Sequence, residues 1–310
     1  MLRDAILSAA ASHRMESLLT QVPVTRHVVE RYTPGAHVDD AIAASRELTA
    51  AGLLVSLDFL GEDVSTRDEA VSRVRAYKDV LDLLATYGLT AGVEVSVKLS
   101  AIGQALPDAD GAALALEHAR QICAVARRYG TTVTLDMEDH TTTDSTLTAL
   151  AALREDFPTT GAVLQSYLYR TEADCKDLAT AGSRVRLCKG AYDEPESVAY
   201  QRKRDVDRSY VRCLKVLMVG AGYPMVATHD PRLIEIAGAL AARHDRGLDT
   251  FEYQMLYGIR PHEQLRLAAE GARVRVYVPY GNEWYGYLMR RLAERPANLG
   301  FFLRSLVTRS

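Results

Sequence analysis

Two adjacent arginines, Arg290 and Arg291, stand in the stretch Y-G-Y-L-M-R-R-L-A-E-R-P-A-N, residues 285–298. Neighbouring residues on a helix point about 100° apart, so the pair forms no single flat basic patch and approaches a ligand from two directions. Tyr287, Arg291 and Glu294 follow at i, i+4 and i+7 and share a face, while Arg290 and Glu294 are also spaced for an ordinary surface ion pair worth a few tenths of a kcal/mol. Guanidinium forks bind carboxylates bidentately. A small carboxylate-bearing substrate accounts for both arginines if this helix lies across a binding site.

Further groups able to do chemistry sit at the ends of short apolar runs. Glu62 and Asp63 follow L-L-V-S-L-D-F-L, Lys98 falls in E-V-S-V-K-L-S, Asp136 and Glu138 in T-V-T-L-D-M-E, and Gln165 in G-A-V-L-Q-S-Y. Arg186, Cys188, Lys189 and Gly190 fall in R-V-R-L-C-K-G, Thr228, His229 and Asp230 at the end of Y-P-M-V-A-T-H-D, Gln254 in T-F-E-Y-Q-M-L-Y, and Tyr277 and Tyr280 at the end of R-V-R-V-Y-V-P-Y. Charges buried together cost several kcal/mol each unless paired, and Lys98 and Asp136 read as such a pair. Alternation places Arg186 and Cys188 on one face and Leu187 on the other. An inward arginine is either held by Asp136 or Glu138 in a buried salt bridge or offered to an electron-rich cofactor or a phosphate. Arg202, Lys203 and Arg204, in Y-Q-R-K-R-D-V-D-R-S-Y, read either as a solvated helix face or as a pyrophosphate site favoured by a helix N-terminus.

The elements that must position these residues follow from periodicity. Eight β-branched, apolar runs recur at residues 53–60, 94–100, 132–138, 161–167, 184–190, 223–229, 250–257 and 273–279, and read as buried strands. Between them helical spacing appears at residues 66–87, 111–129, 143–155, 172–181, 197–221, 231–246 and 261–270. The first of these opens with T-x-x-E, a capping box of Thr66 and Glu69, and Val71, Val74, Val80, Leu81 and Leu84 give it an apolar face. Gly88, Gly130, Gly182 and Gly222 punctuate four helix ends. Eight strands alternating with helices predict a parallel sheet, and eight is the count that closes a (βα)8 barrel, whose active sites lie at the C-terminal strand ends. An open doubly wound sheet competes, but no G-x-G-x-x-G follows any run.

The chain has 310 residues, 48% hydrophobic and 25% charged, with a net charge of −3. That is ordinary globular composition, and the charge argues against nucleic acid as a partner. The four cysteines (Cys123, Cys175, Cys188, Cys213) form no C-x-x-C pair and read as reduced core residues. No run of 18 apolar residues is present, so no membrane span is expected.

Together these motifs resemble the proline dehydrogenase family in its compact, monofunctional bacterial form, from about Leu53 to Phe302. The most specific piece is Y-x-x-R-R-x-x-E followed by A-N, here Tyr287, Arg290, Arg291, Glu294, Ala297 and Asn298. V-K-L-S, L-D-x-E, V-R-L-x-K-G-A-Y, A-T-H and E-x-Q-x-L-x-G follow the family order on successive strands. The resemblance implies α/β architecture: a distorted (βα)8 TIM-type barrel in one domain. Residues 1–50 would be an N-terminal helical segment, residues 53–280 eight βα units, and residues 281–310 a helix capping the C-terminal mouth. It implies non-covalent FAD and oxidation of L-proline to Δ1-pyrroline-5-carboxylate by hydride transfer to flavin N5. Electrons then pass to a membrane quinone, and the product goes to a separate pyrroline-5-carboxylate dehydrogenase on the way to glutamate. The expected location is cytoplasmic, or peripheral on the inner face of the cell membrane.

Carried over by motif, Lys98, Asp136, Tyr277, Tyr287, Arg290 and Arg291 form the catalytic set. Lys98 and the arginines hold the proline carboxylate, Asp136 lies beside Lys98 to support it, and Tyr277 and Tyr287 wall the ring. Leu256 forms a floor with Ala191 and Tyr192 nearby, and Glu62 pairs with Arg290 as a gate. Arg186 approaches flavin N5 and Gln165 the pyrimidine edge. Cys188, Lys189, Gly190, Arg202, Lys203, Thr228, His229 and Glu294 complete the cofactor set, with no metal. Asp193 stands where long bifunctional relatives carry tryptophan, the two tyrosines are more closely spaced than in those relatives, and no aldehyde dehydrogenase half is seen. Three other readings compete. A Schiff-base aldolase would use Lys98 or Lys189. A metal-dependent hydrolase would use Asp136, Glu138, His140, His229 and Asp230. The third is a binding protein that keeps the barrel without catalysis.

Overall fold

The computed structural model describes residues 31–107, 110–284, 287 and 288. The eight apolar runs form eight strands: β1 Leu54–Phe59, β2 Val93–Val97, β3 Val133–Leu135, β4 Ala162–Gln165, β5 Arg184–Cys188, β6 Tyr223–Ala227, β7 Glu252–Leu256 and β8 Val274–Tyr280. All pairings are parallel, in the order β3-β2-β1-β8-β7-β6-β5-β4. β1 lies against β8, and the remaining gap between β3 and β4 is spanned by one parallel bridge, Thr134 to Gly161. There the Leu135 N–H donates to the Gly161 carbonyl at 2.9 Å and the Gly161 N–H to the Val133 carbonyl at 2.8 Å. The barrel is therefore nearly closed, with a thin seam at β3–β4.

Helices α1 Val38–Ala50, α2 Arg67–Thr86, α3 Gly111–Arg128, α4 Thr143–Asp156, α5 Thr171–Leu178, α6 Lys203–Val219, α7 Pro231–Arg243 and α8 Pro261–Ala269 precede and alternate with the strands. The α2 capping box forms as expected, Thr66 Oγ1 accepting from the Glu69 N–H and the Glu69 carboxylate from the Thr66 N–H, each at 3.2 Å. Ala70 and Tyr77 join Val74, Val80, Leu81 and Leu84 on its buried face, whereas Val71 points outward and is 46% exposed. Gly88, Gly130 and Gly182 follow their helices with positive φ, a conformation open to glycine at little steric cost. Gly222 does not play that part, since α6 ends at Val219 with Gly220 as its cap.

The helix expected at residues 197–221 begins only at Lys203. Its first residues are engaged elsewhere: Ala199 bridges antiparallel to Leu168, and Val198 and Ala199 pack with Tyr167 and Leu168. The hydrophobic core lies between sheet and helices, where strand residues such as Val55, Leu57, Val95, Leu187 and Val276 meet Leu81, Leu84, Ile122 and Leu214. Alternation then turns the polar strand positions inward. No described helix is long and apolar enough to cross a membrane.

Candidate active site

The barrel axis is filled with charge where such barrels ordinarily carry branched apolar side chains. At its centre the Glu94 carboxylate accepts from Ser56 at 2.6 Å, Thr132 at 2.9 Å, Thr134 at 3.1 Å and Arg184 at 2.7 Å. Arg186 and Arg275 lie 3.6 and 3.8 Å away. Burial alone would raise its pKa, but the three guanidiniums outweigh burial and hold it well below the usual carboxylate range. Glu252 receives Arg275 at 2.7 Å and the Gln254 amide at 2.5 Å.

Above this layer two ion pairs face the mouth. Lys98 donates to both oxygens of Asp58, at 3.0 and 2.9 Å, and Glu62 lies 3.9 Å from the same ammonium. Burial would pull Lys98 down, but Asp58, then Glu62 and Asp136, keep it well above its ordinary value. Burial pushes the Asp58 carboxyl up against the pull of Lys98, and the paired N–H···O geometry is that of an ammonium holding a carboxylate. In the second pair Arg186 donates to Asp136 at 2.6 Å, Ser96 at 2.9 Å and Gln254 at 2.5 Å. The Tyr277 hydroxyl donates to the other Asp136 oxygen at 2.7 Å, and the Arg186 guanidinium lies 5.2 Å from the Tyr277 ring centre. Burial first, then Asp136 and Asp58, drive the Tyr277 pKa well above 10.0, so it stays a donor.

A cavity of ≈ 720 Å³ opens over these pairs, within the rough 300–1,000 Å³ range of sites that enclose a small molecule. Its walls bring together fifteen of the residues expected from sequence. Lys98, Asp136, Tyr277, Tyr287 and Leu256 line one part. Gln165, Arg186, Cys188, Lys189, Gly190, Ala191 and Tyr192 line the β4–β5 side, and Thr228, His229 and Lys203 the far end. Glu62 stands outside the lining, half-buried beside Lys98. Arg202 is the exposed residue preceding α6 and is also outside it. Arg290, Arg291 and Glu294 lie outside the described residues.

The expected Lys98–Asp136 partnership is corrected. Asp58 holds Lys98, while Asp136 is taken across the barrel by Arg186 and Tyr277 and reaches Lys98 only through its charge. Of the two readings of Arg186, the salt bridge with Asp136 is present, and the guanidinium lines the cavity as well. Sequence reasoning missed Asp58 and Glu94. Both carried the signal that drew attention to Arg186, a charge inside an apolar run.

The far end has a mixed character. Lys189 donates to Asp207 at 2.6 Å and to Asp230 at 3.3 Å, and Lys203 and Arg232 also approach these acids. Three cations around two carboxylates leave an excess of positive charge beside the N-terminal turns of α6 and α7, where anions are favoured. His229 Nε2 accepts from the Leu256 N–H at 2.9 Å, and His140 is paired with Glu194. Among the described residues no group of three His, Cys, Asp or Glu is arranged to hold a metal. The raised pKa of Lys98 runs opposite to the depressed one that a Schiff-base nucleophile needs. None of the four cysteines is in a disulfide.

The sequence profile of the family described as proline dehydrogenase matches residues 41–304. The proline dehydrogenase of Deinococcus radiodurans is 41% identical over 98% of this chain and 97% of its own length. Proline dehydrogenase 1 of Bacillus subtilis subsp. natto is 39% identical over 91% of this chain and 92% of its own. The barrel resembles that of proline utilization A from Bdellovibrio bacteriovorus inactivated by N-propargylglycine, with a TM-score of 0.77 at 24% identity over 85% of this chain. The match spans 32% of that longer chain. The chain therefore belongs to the proline dehydrogenase family of oxidoreductases.

Proposed function

We propose that this protein oxidises L-proline to Δ1-pyrroline-5-carboxylate with bound FAD and passes the electrons to a membrane quinone, leaving the product for a pyrroline-5-carboxylate dehydrogenase. The observation that carries the reading is the single cavity onto which the Lys98–Asp58 pair, the Asp136–Arg186–Tyr277 group and the cationic far end all open. Its donor set fits a flavin nucleotide: a buried guanidinium and an amide, Arg186 and Gln165, suit the electron-rich ring, and the cluster around Lys189 suits a phosphate. When bound, FAD supplies the two-electron acceptor for the hydride of proline C5 as the ring nitrogen forms its C=N bond.

The chain's own residues bind and orient. An ammonium has three donors, and Asp58 engages Lys98 through two contacts, which leaves one donor for a substrate carboxylate. The order of the motif assigns Arg290 and Arg291 to the same carboxylate. Tyr277, Tyr287 and Leu256 form an apolar wall that excludes water from the ring. The Asp136 and Gln254 contacts fix Arg186 where its charge stabilises negative charge developing on an adjacent acceptor, without reorganisation during the reaction. Positioning of this kind contributes several kcal/mol to rate enhancement. The purified protein should be yellow and should bleach on anaerobic addition of L-proline. A colourless protein trapped by borohydride with a carbonyl substrate would instead support an aldolase.

A further inference from the structure

The loop between β5 and α6 lines the cavity at both ends, through Gly190 to Tyr192 and again through Tyr200 and Gln201. Between those ends stands Glu194, a carboxylate only 6% exposed and outside the cavity lining. It accepts the His140 backbone N–H at 2.8 Å, the Tyr167 hydroxyl at 3.1 Å and the ring of His140 on its second oxygen. Its own carbonyl accepts from the Gln201 amide at 2.9 Å. His140 follows β3 and Tyr167 follows β4, so the two partners stand on opposite sides of the thin seam. Tyr167 in turn packs where a Cβ on Gly190 would fall.

We propose that Glu194 is a positioning residue for the cofactor, its buried carboxylate strapping the β5–α6 loop across the β3–β4 seam so that residues 190–192 keep their place in the cavity wall. This rests on the reading that the β4–β5 side of the cavity takes FAD. A buried carboxylate is costly unless its acceptors are satisfied, and three donors from two other loops satisfy this one. Removing it frees a loop whose Lys189–Gly190 end is assigned to the cofactor and whose Ala191 and Tyr192 stand near the proline ring, but touches none of the groups assigned to the proline carboxylate.

The test is serial dilution of the flavin-loaded protein, reading the fluorescence of released FAD, for wild type, Glu194→Gln and Arg154→Ala. Arg154 bonds the Thr160 and Arg184 carbonyls and the Ser183 hydroxyl at the opposite end of the barrel, and it controls for general loss of stability. Glu194→Gln should weaken FAD binding roughly tenfold to a hundredfold, the range of one lost charge-assisted hydrogen bond. The KM for proline at saturating FAD should shift less than that affinity, and Arg154→Ala should lower the unfolding midpoint without comparable flavin release. Equal FAD affinity in wild type and Glu194→Gln would overturn the strap while leaving the flavin reading intact. Comparable release from Arg154→Ala would also overturn it, whereas a wild-type protein that binds no FAD would overturn both.

Discussion

Replacing Asp58 with asparagine takes the negative partner from Lys98 and leaves the shape of the site intact. In the folded protein Lys98 is 6% exposed and meets Asp58 twice, at 2.9 and 3.0 Å, with Glu62 more distant at 3.9 Å. Other charged or titratable groups acting on it include Asp136 and Glu138 after the neighbouring strand β3 and Tyr77 from α2. Removing one member of a buried pair costs about 3–5 kcal/mol. A buried lysine meets that cost most cheaply by losing its proton, so its pKa falls when Asp58 no longer offsets burial. Lys98 starts well above its ordinary value, so in Asp58→Asn it stays charged at pH 7 and its discharge moves down towards the alkaline end of the assay. The assay is inhibition by a ring carboxylate that has no amine, so that the probe itself does not titrate in this range. Wild type should hold its inhibition constant from pH 7 to 9.5. The variant should lose affinity by about tenfold or more as Lys98 discharges, since a charged hydrogen bond is worth about 1.5–3 kcal/mol. Superimposable pH profiles would refute both the pairing and the place of Lys98 in carboxylate binding.

Two further outcomes follow from the buried acids. Burial pushes Glu138 up to about 7, so its contribution to stability is full below about 4.5 and lost as pH rises through 7, on the order of 3 kcal/mol in all. Glu138→Gln should show a flatter unfolding free energy in urea between pH 5 and 8 than wild type, and parallel slopes would count against it. Glu94 is depressed instead, so its contribution is present above about pH 4.5 and lost as pH falls. Glu94→Gln should cost about 3–5 kcal/mol at pH 7 by leaving Arg184, Arg186 and Arg275 short of a counter-charge. The gap from wild type should narrow in acid, and an unchanged urea midpoint at pH 7 would remove Glu94 from that role.

The strands were legible because most carry their own evidence, an apolar outward face and a polar inward one within a few residues. The start of α6 was not, because residues 197–201 have helical spacing yet find partners in Leu168 and Tyr167, far from them in sequence. Many of the residues that line the cavity were legible as a set, since polarity recurs at successive strand ends. Their pairing was harder to read. Strand order puts Val97 opposite Leu135 and so brings Lys98 and Asp136 to adjacent strands, but Lys98 turns to Asp58 on its other neighbour, β1, and Asp136 is taken by Arg186 of β5, which is not a neighbour of β3. No periodicity reports a distance across a barrel.

The gap between β3 and β4 makes this barrel a hoop with one lightly fastened stave. Gly161 sits so close to Thr134 that a side chain there would force the two apart, and the only described strand bridge across that gap runs between these two residues. Gln165 adds a clasp at the rim, its amide reaching the Glu138 carbonyl at 2.7 Å. A molecule resting on Asp136 and Gln165 together leans on both sides of the join. Its binding energy then tightens the hoop, and amide exchange in β3 and β4 becomes a gauge of whether the barrel is loaded.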